Sequence, residues 1–212
     1  IECYYNNCPN NNESIEYGYF KNFLLKFPEL KPYRTEWTVF HEDLKLAGSI
    51  DMVFENENGD LLIYDWKRCK EIVKTSGFNK FANNDVIQHI PDTNYWHYCL
   101  QLNTYKAILE SKYDKKVVGL YLVCLHPENK NKNFQRIEVV NLQQEVYDLF
   151  EQRKNKLTNT IAASKIDFST KIEENVKQVA QLENQISDTE LTLKDQEIIS
   201  PLDGIVFDLQ PA

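Results

Sequence analysis

The spacing of hydrophobic and polar positions changes period several times along the chain, and each change marks an element. Residues 12–27, NESIEYGYFKNFLLKF, open on Asn and Ser capping candidates and then set Phe20, Phe23 and Phe27 at helical spacing, which predicts a helix. RTEWTVF (34–40) alternates as a strand, and residues 46–55 and 61–68 follow as the two arms of a hairpin. DTNYWHYCLQLNTYKAILE (92–110) reads as a capped amphipathic helix and KKVVGLYLVCL (115–125) as a buried strand. The order is αβββαβ, an α/β (α+β) class. NFQRIEVV (133–140) adds a strand, and residues 142–157 begin another helix. Within 166–195, Ile172, Val176, Val179, Leu182, Ile186 and Leu193 recur mostly three or four apart with no Gly or Pro, predicting a coiled-coil-like helix with a phase slip near residue 180. Pro201 and Gly204 in SPLDGIVFDL then mark a turn into a short strand.

Composition divides this pattern in two. Of 26 aromatic residues, 24 precede residue 156, as do all five cysteines, so the reading is a domain at 1–155 and a helical tail at 156–212. At 212 residues and 42% hydrophobic the chain can bury a substantial core. No apolar run is long enough to span a membrane, and the start carries neither Met nor a signal segment, the mark of a fragment. Five cysteines, with only Cys3 and Cys8 close together, form no disulfide framework and point to an intracellular location. A net charge of -8 excludes broad nonspecific nucleic-acid binding, although Lys67, Arg68, Lys70, Lys74 and Lys80 make one local basic strip. Alone, that strip reads as a solvated loop.

The hairpin carries the chemistry. Its loop ENG, Glu57 to Gly59, suits a type I turn closed by a left-handed Gly, and that choice pairs Asn56 with Asp60. Stepping back along both strands places Asp51 opposite Asp65, with Lys67 on the same face and Ile50, Met52 and Phe54 on the other. A two-residue turn would shift the register by one place and break the arrangement. Directly opposed like charges destabilise a sheet unless a cation compensates them, and Mg²⁺ takes carboxylate oxygens, water and phosphate. Lys67 beside such a site could orient a water or stabilise charge on a phosphate. Gln101 and Tyr105 lie one turn apart on a single helix face.

These residues resemble the PD-(D/E)XK nuclease superfamily, particularly its RecB-like branch and related proteins of large DNA viruses, over about 13–152. GSID resembles the first metal-binding aspartate motif, YDWK the D-x-K motif and QLNTY the Q-x-x-x-Y motif. The resemblance implies a restriction-endonuclease-like core and a Mg²⁺- or Mn²⁺-dependent deoxyribonuclease acting on DNA, with a helicase or a coiled-coil protein as a further partner. By that resemblance Asp51 and Asp65 are metal ligands, the Trp66 carbonyl adds a third, and Lys67 is catalytic. Gln101, Tyr105 and Arg68 support the site or touch DNA. Glu16, in line with Phe20, Phe23 and Phe27, is either a further ligand or a partly exposed helix residue. Glu36, beside the hairpin, faces the metal or pairs with Arg34 or Lys45. Two family features are missing: no His stands on the first helix, and the scattered cysteines suit no iron–sulfur cluster.

From about residue 160 the chain resembles another family, the periplasmic adaptor (membrane fusion) proteins of type I secretion, whose coiled-coil arm returns into a lipoyl-like half-motif, here ISPLDGIVFDL. The adaptor's membrane anchor, outgoing helix and second lipoyl half are absent. The leading expectation is therefore a nuclease, with a non-cleaving nucleic-acid scaffold and a secretion adaptor as alternatives.

Overall fold

The computed structural model describes residues 1–9, 11–77 and 79–196. Its elements are α1 (Glu2–Tyr5), α2 (Ile15–Lys26), β1 (Lys31–His41), β2 (Leu46–Glu55), β3 (Leu61–Lys67), α3 (Asn94–Lys112), β4 (Val117–Cys124), β5 (Gln135–Glu138) and α4 (Gln143–Gln196). Contacts divide the chain into two units, Ile1–Leu157 and Thr158–Ala212.

In the first unit the five strands lie in sequence order in one sheet. All neighbours are antiparallel except β3 and β4, which run parallel because α3 carries the chain back across the sheet between them. Each face has its own apolar layer. Trp37, Val39, Ile50, Val53, Ile63 and Leu122 pack with Tyr95, Leu102, Tyr105 and Ile108 of α3. Met52, Phe54, Tyr64 and Val123 pack with Tyr19, Phe20 and Phe23 of α2. The Phe spacing read from the sequence is thus the buried face of α2, and Ser14 caps that helix by accepting the Tyr17 N–H at 3.2 Å. The αβββαβ order stands, with the strand expected in 133–140 present as β5 and the short α1 added before α2.

Two details differ from the alternation expected of the hairpin. Ile50 packs with Val53 on the α3 face rather than with Met52 and Phe54, so strict alternation along β2 breaks at Asp51. Level with Asp51 on β1, Glu36 has a left-handed φ of 45°, while the shift in the β1–β2 register lies further back, between Pro32 and Arg34. The helices expected at 142–157 and 166–195 are the single 54-residue helix α4. Every described residue of the second unit is exposed. The turn and strand expected in SPLDGIVFDL lie outside the described residues. No described helix is long and apolar enough to cross a membrane.

The turn sets the register. Gly59 has a φ of +79°, its N–H donates to the Asn56 carbonyl at 3.1 Å, and the Asn56 N–H donates to the Asp60 carbonyl at 3.0 Å. From there Glu55 pairs with Leu61, Phe54 with Leu62, Val53 with Ile63 and Met52 with Tyr64. A Cβ at Gly59 would meet nothing closer than Glu55 Oε1 at 3.7 Å, so the demand for Gly is conformational rather than steric. Gly59→Val is expected to destabilise the protein by about 1–3 kcal/mol, and Gly59→Asn by clearly less, because Asn enters the left-handed region more readily. Thermal unfolding of the two variants checks this; equal losses would contradict it.

Candidate active site

One step beyond Met52 and Tyr64, the same register brings Asp51 level with Asp65. On the other side of β2, Thr35 pairs with Met52 and Trp37 with Ile50, so Glu36 stands level with Asp51 as well. Three carboxylates therefore share one row across β1, β2 and β3. Their surroundings differ. Asp51 is half-buried, and its Oδ2 accepts the Trp66 N–H at 3.0 Å, which fixes the carboxylate at the end of the ladder. Asp65 is almost fully buried, 2% exposed. Glu36 is exposed, and its Oε2 accepts the Ser49 hydroxyl at 3.4 Å. Arg34 lies over the Trp37 ring rather than on Glu36.

Lys67 Nζ lies 2.5 Å from Asp65 Oδ2, yet no donor meets that oxygen in full hydrogen-bonding geometry. On its other side the ammonium sits 4.3 Å from the centre of the Tyr98 ring. Burial raises the Asp65 pKa most; the Lys67 ammonium pulls it down, the neighbouring Asp51 charge pushes it up, and the carboxyl ends at about 6. Glu36 is also raised, by burial first and then by Asp51 and Glu2.

The alternation of β3 puts Asp65 and Lys67 on the α3 face and turns Trp66 to the other. There its ring meets Phe20 and Phe23 edge to face, with centroids 5.6 and 5.2 Å away. The apolar residue between two charged ones is thus an anchor that holds the strand's rotation. Across the α3 face, Gln101 Nε2 donates to the Tyr105 hydroxyl at 3.0 Å. Tyr105 packs directly on Gly48: a Cβ there would come within 2.5 Å of the ring, so the Gly before Ser49 makes room for a tyrosine.

Tyr98 was not singled out in the sequence, although it stands three residues before Gln101 and seven before Tyr105 on the same helix face. Its spacing from that pair was the available signal. Glu16 and Arg68 meet each other: Arg68 Nε donates to Glu16 Oε1 at 2.7 Å. The Glu16 backbone N–H, then Arg68, hold that carboxyl below its ordinary pKa. Of the basic strip, Lys70 pairs with Glu128 at 2.7 Å and Lys74 lies over Tyr95. With Lys67 and Arg68, four of its five cations have partners within the chain.

The donors present fit a hard divalent cation. Asp51 and Asp65 offer neighbouring carboxylates, and among the described residues the buried Asp65 Oδ2 has the Lys67 ammonium as its charged contact. Among the described residues no group of three or more His, Cys, Asp or Glu converges, so the protein supplies an incomplete shell of the kind Mg²⁺ completes with water and phosphate.

The chain matches the PD-(D/E)XK nuclease superfamily over residues 13–189 and belongs to it. No curated protein matches the chain. The match runs well into the segment whose sequence resembles secretion adaptors, and that second resemblance is not supported. The ISPLDGIVFDL motif on which that resemblance chiefly rests lies outside the described residues.

Asp65 has a measurable consequence in metal-free protein. Its folded pKa of about 6 lies above the ordinary 3.8, so the protonated form favours folding at low pH, and this contribution is lost as pH rises from about 4 through 6. Asp65→Asn is expected to remove that loss. In chelator-treated protein at pH 7.5 the variant should melt several degrees above the parent, the two converging near pH 4. A variant less stable than the parent at pH 7.5 would contradict the reading of a strained, ionised Asp65.

Proposed function

We propose that the chain is a metal-dependent nuclease that hydrolyses DNA phosphodiester bonds, with Asp51, Asp65 and Lys67 at its centre. What carries the reading is a buried carboxylate in contact with a lysine and level with a second carboxylate, in a chain of this superfamily. Asp51 and Asp65, with the Trp66 carbonyl, would hold Mg²⁺ or Mn²⁺. Such an ion supplies Lewis-acid polarisation of the phosphate and lowers the pKa of water.

The protein's own groups do the rest. Lys67 is confined between Asp65 and the Tyr98 ring, so its ammonium is held ready to donate to a phosphate oxygen or to an attacking water where negative charge develops. Asp51, tied to the Trp66 N–H, keeps the two strands from moving apart at the site. Gln101 and Tyr105 hold each other in place on α3, from which they could reach the substrate backbone. Glu36, level with Asp51 and exposed, is positioned to accept from a water on the open side of the row. The Arg68–Glu16 pair is exposed enough for Arg68 to exchange its partner for a phosphate.

The test is degradation of single-stranded, double-stranded and circular DNA with and without Mg²⁺. Survival of circles while linear DNA disappears would identify an exonuclease. Asp65→Asn is expected to abolish cleavage and weaken Mn²⁺ binding. Lys67→Ala should lower turnover by at least about a hundredfold while retaining Mn²⁺ affinity, since it acts on water and phosphate rather than on the ion. Full Mg²⁺-dependent activity in Asp65→Asn would refute the assignment, and equal loss of metal affinity in both variants would show that Lys67 has another role.

A further inference from the structure

Lys67 is well covered for a lysine. Its side chain is 17% exposed, and the group against its ammonium on the side away from Asp65 is an aromatic ring rather than a second carboxylate. That ring, Tyr98, packs on the apolar layer of the α3 face. The turn of α3 just before it is tied to the chain that follows Lys67. Asn94 Oδ1 accepts the Val73 N–H at 2.8 Å, Asn94 Nδ2 donates to the Glu71 carbonyl at 2.9 Å, and Trp96 Nε1 donates to the Lys74 carbonyl at 2.9 Å. These bonds fix α3 against residues 71–74, so the 4.3 Å between Lys67 Nζ and the Tyr98 ring centre is set by the fold and not by two side chains alone.

The two partners of the ammonium ask different things of it. A carboxylate is an acceptor and competes with a phosphate oxygen for the same N–H groups. A ring face attracts the positive charge through its quadrupole and leaves those N–H groups to other acceptors. The Asp65 carboxylate is also one that a bound cation would draw on, whereas the Tyr98 ring carries no charge for an ion to take.

We propose that Tyr98 is a positioning residue for Lys67: when the Asp65 carboxylate serves a cation, the ring keeps the ammonium at the site with its N–H groups free to donate to the phosphate. The inference rests on the nuclease reading above. It assigns the role to the face of the ring and none to the hydroxyl.

Turnover and a direct signal from Lys67 test it together. Tyr98→Leu is expected to lower kcat for Mg²⁺-dependent DNA cleavage by about tenfold with KM unchanged, and Tyr98→Phe to restore most of it. Phenylalanines bearing successively more ring fluorines at position 98 keep the shape of the ring while withdrawing electrons from its face, and kcat should fall stepwise along that series. In protein isotope-labelled at the lysine ε-carbons, the Lys67 signal is identified by its absence in Lys67→Met. The ring current of Tyr98 should place it upfield of the exposed lysines. It should stay upfield when Mg²⁺ is added and lose that displacement in Tyr98→Leu. Parental kcat in Tyr98→Leu, a Tyr98→Phe variant as slow as Tyr98→Leu, a flat fluorine series, or a Lys67 signal that moves to the exposed-lysine position on adding Mg²⁺ would each overturn the inference and leave the nuclease reading in place. A parent without Mg²⁺-dependent cleavage would refute that reading, and this inference with it.

Discussion

Two carboxylates held side by side on neighbouring strands are the constraint on which the first unit is organised. Like charges so placed repel by an amount that a sheet pair does not recover on its own. Asp51 meets part of this by accepting the Trp66 N–H, and Asp65 by contact with Lys67. Asp65 nevertheless stays raised, to about 6, by burial first and by the Asp51 charge as a smaller contribution, against the pull of Lys67. The remaining structure keeps the pair from relaxing. A left-handed Gly59 holds the register, Phe20 and Phe23 grip Trp66 from behind, and α3 closes the front with Tyr98 beside the lysine. A protein retains such an arrangement against its own stability where function uses it, and in a PD-(D/E)XK superfamily chain the use we propose is to hold a cation.

The parallel step between β3 and β4 gives the site its depth. Because β3 is an inner strand, flanked by β2 and β4, Asp65 and Lys67 project from the interior of the sheet toward α3. On β4, Leu122 pairs with Asp65 and belongs to the apolar layer on the α3 face, which contributes to the burial that raises the Asp65 pKa. Asp51, one strand closer to the edge, is half-buried, and Glu36, on the edge strand β1, is exposed. Burial thus falls stepwise along the row of three carboxylates.

Much of this was legible in the sequence because local chemistry decides it. The turn residues Asn56 to Gly59 are enough to set the hairpin register, and the register is enough to bring Asp51 and Asp65 together. The Phe20, Phe23 and Phe27 spacing likewise specifies which side of α2 turns inward. What was not legible depends on contacts across the fold. Nothing local marks the left-handed Glu36 or the change of face at Ile50. The Glu16–Arg68 pair joins residues 52 positions apart, and the close approach of Tyr105 to Gly48 joins others 57 apart. The adaptor resemblance of the tail rests on a helical stripe and the short motif ISPLDGIVFDL, and it is not supported, the superfamily match running to residue 189.

The central claim is that the carboxylate pair is a cation site, and the most direct measurement is anomalous X-ray diffraction from crystals of the protein grown with Mn²⁺. The account requires an anomalous peak within about 2.2 Å of an oxygen from each of Asp51 and Asp65. Ordered carboxylates with no peak between them, or a peak bound by other side chains while Asp65 still faces only Lys67, would contradict it.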